Sequence, residues 1–221
     1  MKKLGLMAVA LAATPFLCPP VANATIILTF GQTSGANTIA GTVNGADTVT
    51  TITGTGVAVD ITQILAPAVI PIATTLTLNA TSTGVATTAL GFVTQAYSGS
   101  FSIATGATNF LSGTFTDAIF GSGTGLTLTA SNATPGESVT FTSNVIPAAD
   151  LANPEAIAFS FTNVTPPVSI LGSTLAPFTS GVSGDFSATP AVTTPEPASL
   201  ALLGTALAGL GWLSRRRRKT M

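Results

Sequence analysis

From Thr25 to Glu196 the chain never sustains a helical period. Apolar residues recur at every second position in short runs, and the runs are broken by Gly, Pro, Asn and Ser. Successive side chains of a strand face opposite ways, so this alternation sets one face against a core and the other against water. Candidate strands fall at 26–30, 38–43, 48–53, 57–61, 74–78, 89–97, 100–103, 111–120, 126–130, 138–142, 156–161, 168–171 and 182–188. In the 126–130 and 138–142 runs, Leu126, Leu128, Val139 and Phe141 point one way and threonines the other. Ile157, Phe159 and Phe161 share a face in the same manner. Thr, Val, Ile and Phe suit a half-buried pleated surface.

Turn chemistry supports the strands. Asn44-Gly45 reads as a two-residue type I′ hairpin turn, because both residues accept positive φ. Thr134-Pro135-Gly136-Glu137 is a second turn, and 121–125 is a glycine-rich loop. Residues 31–56 read as a loose hairpin. Pro166-Pro167 must end a strand, since proline cannot donate to a ladder. Strands at this spacing predict an all-β fold, a single antiparallel β-sandwich or jelly-roll-like domain over 25–186. Its expected core is the phenylalanine set Phe92, Phe101, Phe110, Phe115, Phe120, Phe141, Phe159 and Phe161. Two segments, 25–30 and 139–146, combine high β-propensity with little charge, the signature of edges that pair between chains.

The charge distribution is lopsided. All eight acidic residues lie between Asp47 and Glu196, while all seven basic residues lie at Lys2, Lys3 and from Arg215 onward. A body with only negative charge repels nucleic acid, which needs Lys or Arg to neutralise phosphate, so no nucleic-acid partner is expected.

The two ends read as export signals. Lys2 and Lys3 precede an apolar run from Leu4 to Leu17, and Ala22-Asn23-Ala24 fits the small-x-small rule. Residues 1–24 are therefore expected to be a signal peptide, cut between Ala24 and Thr25 by signal peptidase after engaging the secretion machinery. Cys18, the one cysteine, would leave with it, so no disulfide or thiol ligand remains. At the other end, 187–197 reads as an extended linker. Residues 198–214 read as a transmembrane helix, and 215–221 as a basic cytoplasmic tail. The apolar stretch 198–213 spans about 24 Å, close to a hydrocarbon core of ~30 Å. Pro197 suits the first position of a helix, and Glu196 lies at its positive end. Trp212 falls at interfacial depth, and Arg215, Arg216, Arg217, Arg218 and Lys219 form a positive-inside stop.

Pro195-Glu196-Pro197, an apolar helix and Arg215-Arg216-Arg217-Arg218, in that order, resemble the PEP-CTERM sorting signal of Gram-negative bacteria. The resemblance covers only the last 27 or so residues. It implies recognition by an exosortase, a membrane-embedded cysteine transpeptidase that cuts near the tripeptide. The chain would cross the inner membrane, be held there transiently, and finish at the cell surface or in the extracellular matrix. Proteins with this signal often accompany exopolysaccharide production, biofilm and floc formation, so exopolysaccharide is a candidate partner.

Chemistry is scarce in the body. With no histidine anywhere, a catalytic triad lacks its usual base. Gly181-Val182-Ser183-Gly184-Asp185 misses the nucleophile-elbow pattern at its last position. Two carboxylates suffice for glycoside hydrolysis, and Glu137 and Asp117 flank adjacent strands, but solvated loop acids are the simpler reading. Asp47, Asp60 and Asp185 are the candidates for a weak calcium site, without an EF-hand loop among them. Sugar stacking has only Tyr97 to draw on. The expectation is a non-enzymatic protein without cofactor or metal, structural or adhesive at the cell surface. The alternatives are a lectin-like exopolysaccharide module and a self-assembling β-fibre.

Overall fold

The computed structural model describes residues 24–36, 38–122 and 125–190. Thirteen strands follow one another: β1 (Thr25–Gln32), β2 (Ile39–Val43), β3 (Thr50–Ile64), β4 (Ile72–Ser82), β5 (Thr87–Ala89), β6 (Phe92–Thr105) and β7 (Thr108–Ser122). Then come β8 (Leu126–Ser131), β9 (Ser138–Thr142), β10 (Ala152–Thr165), β11 (Ile170–Leu171), β12 (Thr174–Leu175) and β13 (Phe178–Thr189). A 3-10 turn, Ala148–Asp150, precedes β10. The all-β class and the antiparallel pairing are those expected, and β13 carries the body through Thr189, past the boundary expected at 186.

The topology differs from a jelly roll. β1 and β2 run in the same direction between β13 and β3, so they form one strand line interrupted by an excursion. β8 and β9 lie along β7 in the same way. Counted by lines, each neighbours the next in sequence: β1/β2, β3, β4, β6, β7, β8/β9, β10 and β13. β6 pairs with β7, and β13 returns to β1, which closes the ring. The result is an up-and-down barrel, which removes most free edges without Greek-key crossings.

The ring is flattened on a filled core. β6 and β13 lie on opposite sides of it, yet Phe101 and Phe186 stack at 4.7 Å between centroids. Phe30, Phe141 and Phe159 pack edge-on or stacked around them at 5.5–6.1 Å. Small barrels fill with side chains in this way rather than enclose a channel. Of the expected core phenylalanines, Phe101, Phe115, Phe141, Phe159 and Phe161 are buried. Phe92 is not: it sits 52% exposed at the start of β6. Phe110 is partly buried, and the side chain of Phe120 lies outside the described set. Phe30, Phe178 and Phe186 join the core instead.

The outer face is built of hydroxyls. On β4, Thr75, Thr77, Asn79 and Thr81 are exposed while Leu76, Leu78 and Ala80 are buried. Between β7 and β9, Ser112 bonds Thr142 at 2.8 Å, Thr114 bonds Thr140 at 2.7 Å, and Thr116 bonds Ser138. Cross-strand pairs of this kind are the unit of sheet stabilisation, which explains how a surface poor in charge holds its register. Hydroxyl-out and apolar-in is also the reverse of a membrane-spanning barrel, whose outer band is apolar.

Two turns correct the sequence reading. Val43 and Thr50 are separated by a longer loop in which the Asn44 side chain accepts from the N–H groups of Thr48 and Val49 at 2.9 and 3.1 Å. The positive φ there belongs to Asp47, not to Asn44 or Gly45. The two-residue turn with both φ positive is instead Leu90-Gly91, joining β5 to β6. By contrast Thr134–Glu137 is the expected turn, with Glu137 N–H donating to Thr134 O at 3.2 Å and Gly136 at φ 90.

The two segments expected to be free edges are not free. β1 holds ladders on both sides. β9 pairs with β7, and its other side is occupied by the Asn132 carboxamide, which bonds both backbone groups of Val139. Among the described residues β5, one end of the strand order, pairs on one side alone, with β6.

One glycine lets β4 and β6 approach closely. At Gly99, where β6 pairs with Ala80 of β4 and the ladder to β7 shifts register, an added Cβ would lie 2.7 Å from Ala80 Cα and closer still to the Asn79 carbonyl oxygen. Both are backbone atoms and cannot turn aside. Gly99→Ala should therefore destabilise the body by about 1–3 kcal/mol, the usual overpacking cost. A thermal melt checks it; an unchanged midpoint would mean β4 and β6 lie further apart than described.

Candidate functional site

The expected functional residues gather at the chain ends, and the fold brings those ends together. Thr25, the first residue of β1, pairs with Ala188 near the end of β13, and Ala152 at the start of β10 pairs with Thr189. Ala24 is exposed immediately before β1, where the expected cut would need it. Pro190 follows β13 at the same pole. Ala22, Pro195, Glu196, Pro197, Arg215, Arg216, Arg217, Arg218 and Lys219 lie outside the described residues, as does the expected transmembrane helix. Among the described residues no helix is long and apolar enough to cross a membrane.

The opposite pole is plugged. The β11–β12 hairpin inserts Thr174 and Leu175, both fully or almost fully buried, under the ends of β3 and β6. Gln95 holds them: its carboxamide oxygen accepts from Leu175 N–H at 3.1 Å and Tyr97 Oη at 3.2 Å, and its nitrogen donates to Thr174 Oγ1 at 2.9 Å. Thr50 Oγ1 donates to Leu175 O at 2.6 Å. Desolvation raises the Tyr97 hydroxyl well above its ordinary value, with a bond to Thr50 opposing. Every group here is satisfied from within, so this network closes the barrel end.

The scattered acids do not converge. Among the described residues no three His, Cys, Asp or Glu side chains approach as metal ligands. Asp185 pairs with Thr29 and Asp60 with Gly31, on either side of β1, while Asp47 lies at the plugged pole. Glu137 spends one carboxylate oxygen on Ser131 N–H at 2.7 Å. It stands one position beyond the Thr116–Ser138 pair, as does Asp117 on the facing strand.

Sequence reasoning missed Glu155. It is buried on β10 and accepts from Phe141 N–H of β9, with the Asn132 amide 3.4 Å away, so it closes the seam between the two strands. Burial raises its carboxyl above the ordinary value of 4.5, and those two bonds oppose the shift. The folded chain thus keeps the proton to higher pH than the unfolded chain. Stability from this group is present below 4.5 and declines as pH rises through the raised value. Glu155→Gln keeps an oxygen for Phe141 and should flatten that decline, which urea melts across the acid range would detect. An unaltered pH profile would mean the carboxyl is solvated.

A surface cleft of about 370 Å³ lies between the end of β1, the loop after it, β10 and β13, lined by Gln32, Thr33, Ser34, Thr162, Asn163, Ser183 and three glycines among others. The Gln32 carboxamide ties it together, accepting from Val182 N–H at 3.1 Å and donating to Ser34 O at 2.9 Å. Its lining is neutral, with no acid pair and no aromatic ring.

Comparison with known proteins bears on the tail alone. Residues 193–218 match the family model of the PEP-CTERM protein-sorting motif. The chain therefore carries that sorting motif, which implies a bacterial protein exported to the surface or beyond, with an exosortase as processing partner. No curated protein and no solved structure matches the chain.

Proposed function

We propose that this is an exported, exosortase-processed protein whose barrel is a structural or adhesive component of the cell surface or extracellular matrix, serving biofilm or floc formation in a Gram-negative bacterium. The observation that carries the reading is the sorting motif at 193–218, set behind a body whose two ends leave from one pole. In this reading the signal peptide and the apolar tail are both discarded, and the tail anchors the chain only transiently. The body acts without catalysis, cofactor or metal. Its filled core and hydroxyl-rich surface suit a matrix component, which has to persist and make many weak contacts. The cleft favours a second, compatible reading, contact with exopolysaccharide, because its neutral donors and acceptors match sugar hydroxyls. Fractionation of host cells lacking exosortase activity tests the first reading: the full-length chain should accumulate in the membrane fraction, and normal delivery to the matrix would refute it. Retention of the body on matrix polysaccharide, lost when Ser183→Phe blocks the cleft, tests the second.

A further inference from the structure

The pole from which both chain ends leave also carries an uncharged apolar rim. The β3–β4 connection, 65–71, starts beside β1, where Leu65 N–H donates to Ile27 O at 2.8 Å. Val69 at its tip is 91% exposed and Ile70 47% exposed, and Ile26 on β1 is 43% exposed at the same pole. Such residues at a loop tip gain nothing from water. No charged residue occurs anywhere between Asp60 and Asp117, so this side of the barrel has no charge to desolvate. Asp150 lies in the connection between β9 and β10, on the other side of the ring.

The geometry points to a lipid surface as the occupant of this rim while the chain is still anchored. The inference rests on the reading of 198–214 as a membrane segment. Between Pro190 and Ala198 the chain spans at most roughly 30 Å, so that segment must enter the bilayer close beneath this pole. A short tether presents the pole to the membrane, and Val69 and Ile70 enter the headgroup boundary. The contact is apolar and not electrostatic, since the body has no Lys or Arg. It sets the orientation of the body during processing, with the Leu90-Gly91 turn and the plugged end facing away.

The test uses the full chain with Cys18→Ser, reconstituted in phosphatidylcholine vesicles, with single nitroxide labels at Val69→Cys, at Leu90→Cys and at Leu207→Cys. Collision with oxygen against a water-soluble nickel chelate reads lipid depth. The expected result is a lipid-like ratio at 207 and 69, several-fold above that at 90. A lipid-like ratio at 207 with water-like ratios at both 69 and 90 would overturn the rim contact and leave the membrane segment standing. A water-like ratio at 207 would overturn both. A lipid-like ratio at 90 equal to that at 69 would also reject the proposal, because the contact would then lack orientation.

Discussion

Deleting residues 193–221 is expected to strip the protein from the cell surface and release the folded body, with its signal peptide removed, on the far side of the inner membrane. Read as a membrane segment, 198–214 would hold the chain in a bilayer effectively irreversibly, whereas the body offers only a small apolar rim. Replacing Arg215–Arg218 by serine should weaken retention by another route. Each arginine drawn to the bilayer centre costs about 2.5–3.5 kcal/mol, so four of them oppose passage by roughly 10 kcal/mol. Without that barrier the stop is lost, and the chain should slip through unprocessed. Immunoblots of surface, membrane and medium fractions check both variants. Surface delivery of the deletion variant at the normal level would remove the sorting motif from the account.

The largest effect on stability is expected at Phe186. Its ring is fully buried, stacks on Phe101 at 4.7 Å, and touches Phe30, Phe141 and Phe159 at 5.5–5.9 Å. Phe186→Ala therefore empties the point where the two halves of the flattened ring meet. Buried Phe→Ala changes cost about 3–5 kcal/mol, a large share of a domain's total of ~5–15 kcal/mol. Phe92→Ala, at an exposed site, should shift stability by no more than about 0.5 kcal/mol. Chemical denaturation of the two variants is decisive as a pair. Equal losses would mean that β13 does not face β6 across the core.

That pair also marks where local sequence stopped informing the fold. Phe92 and Phe101 sit in equally apolar, alternating runs, so both read as core. What separates them is position along β6: Phe101 faces β13 across the ring, while Phe92 starts the strand beyond the covered region. The strands around 126–142 and 156–161 were legible because alternation is a local property. Closure was not, because it joins Thr25 to Ala188, and alternation names a face but not a partner. Turn chemistry failed for a definite reason at Leu90, since leucine gives no sign of accepting positive φ. At Asn44 the side chain bonds the loop backbone and draws the chain into a wider turn. Glu155 gave no signal either, because its role depends on Phe141 of β9 and Asn132 of the turn before it. The sorting motif was the most legible feature, since its three parts are contiguous and compositional. Its setting, behind a body whose first and last strands pair at one pole, required the fold.

The most direct test of the central claim is the intact mass of the mature protein isolated from its native host, with both termini identified. A chain beginning at Thr25 and ending near Pro195–Pro197 is expected, with any added mass reporting the acceptor joined to the new end. A chain that retains Arg215–Met221 would contradict it, and the protein would then be a plain membrane-anchored barrel.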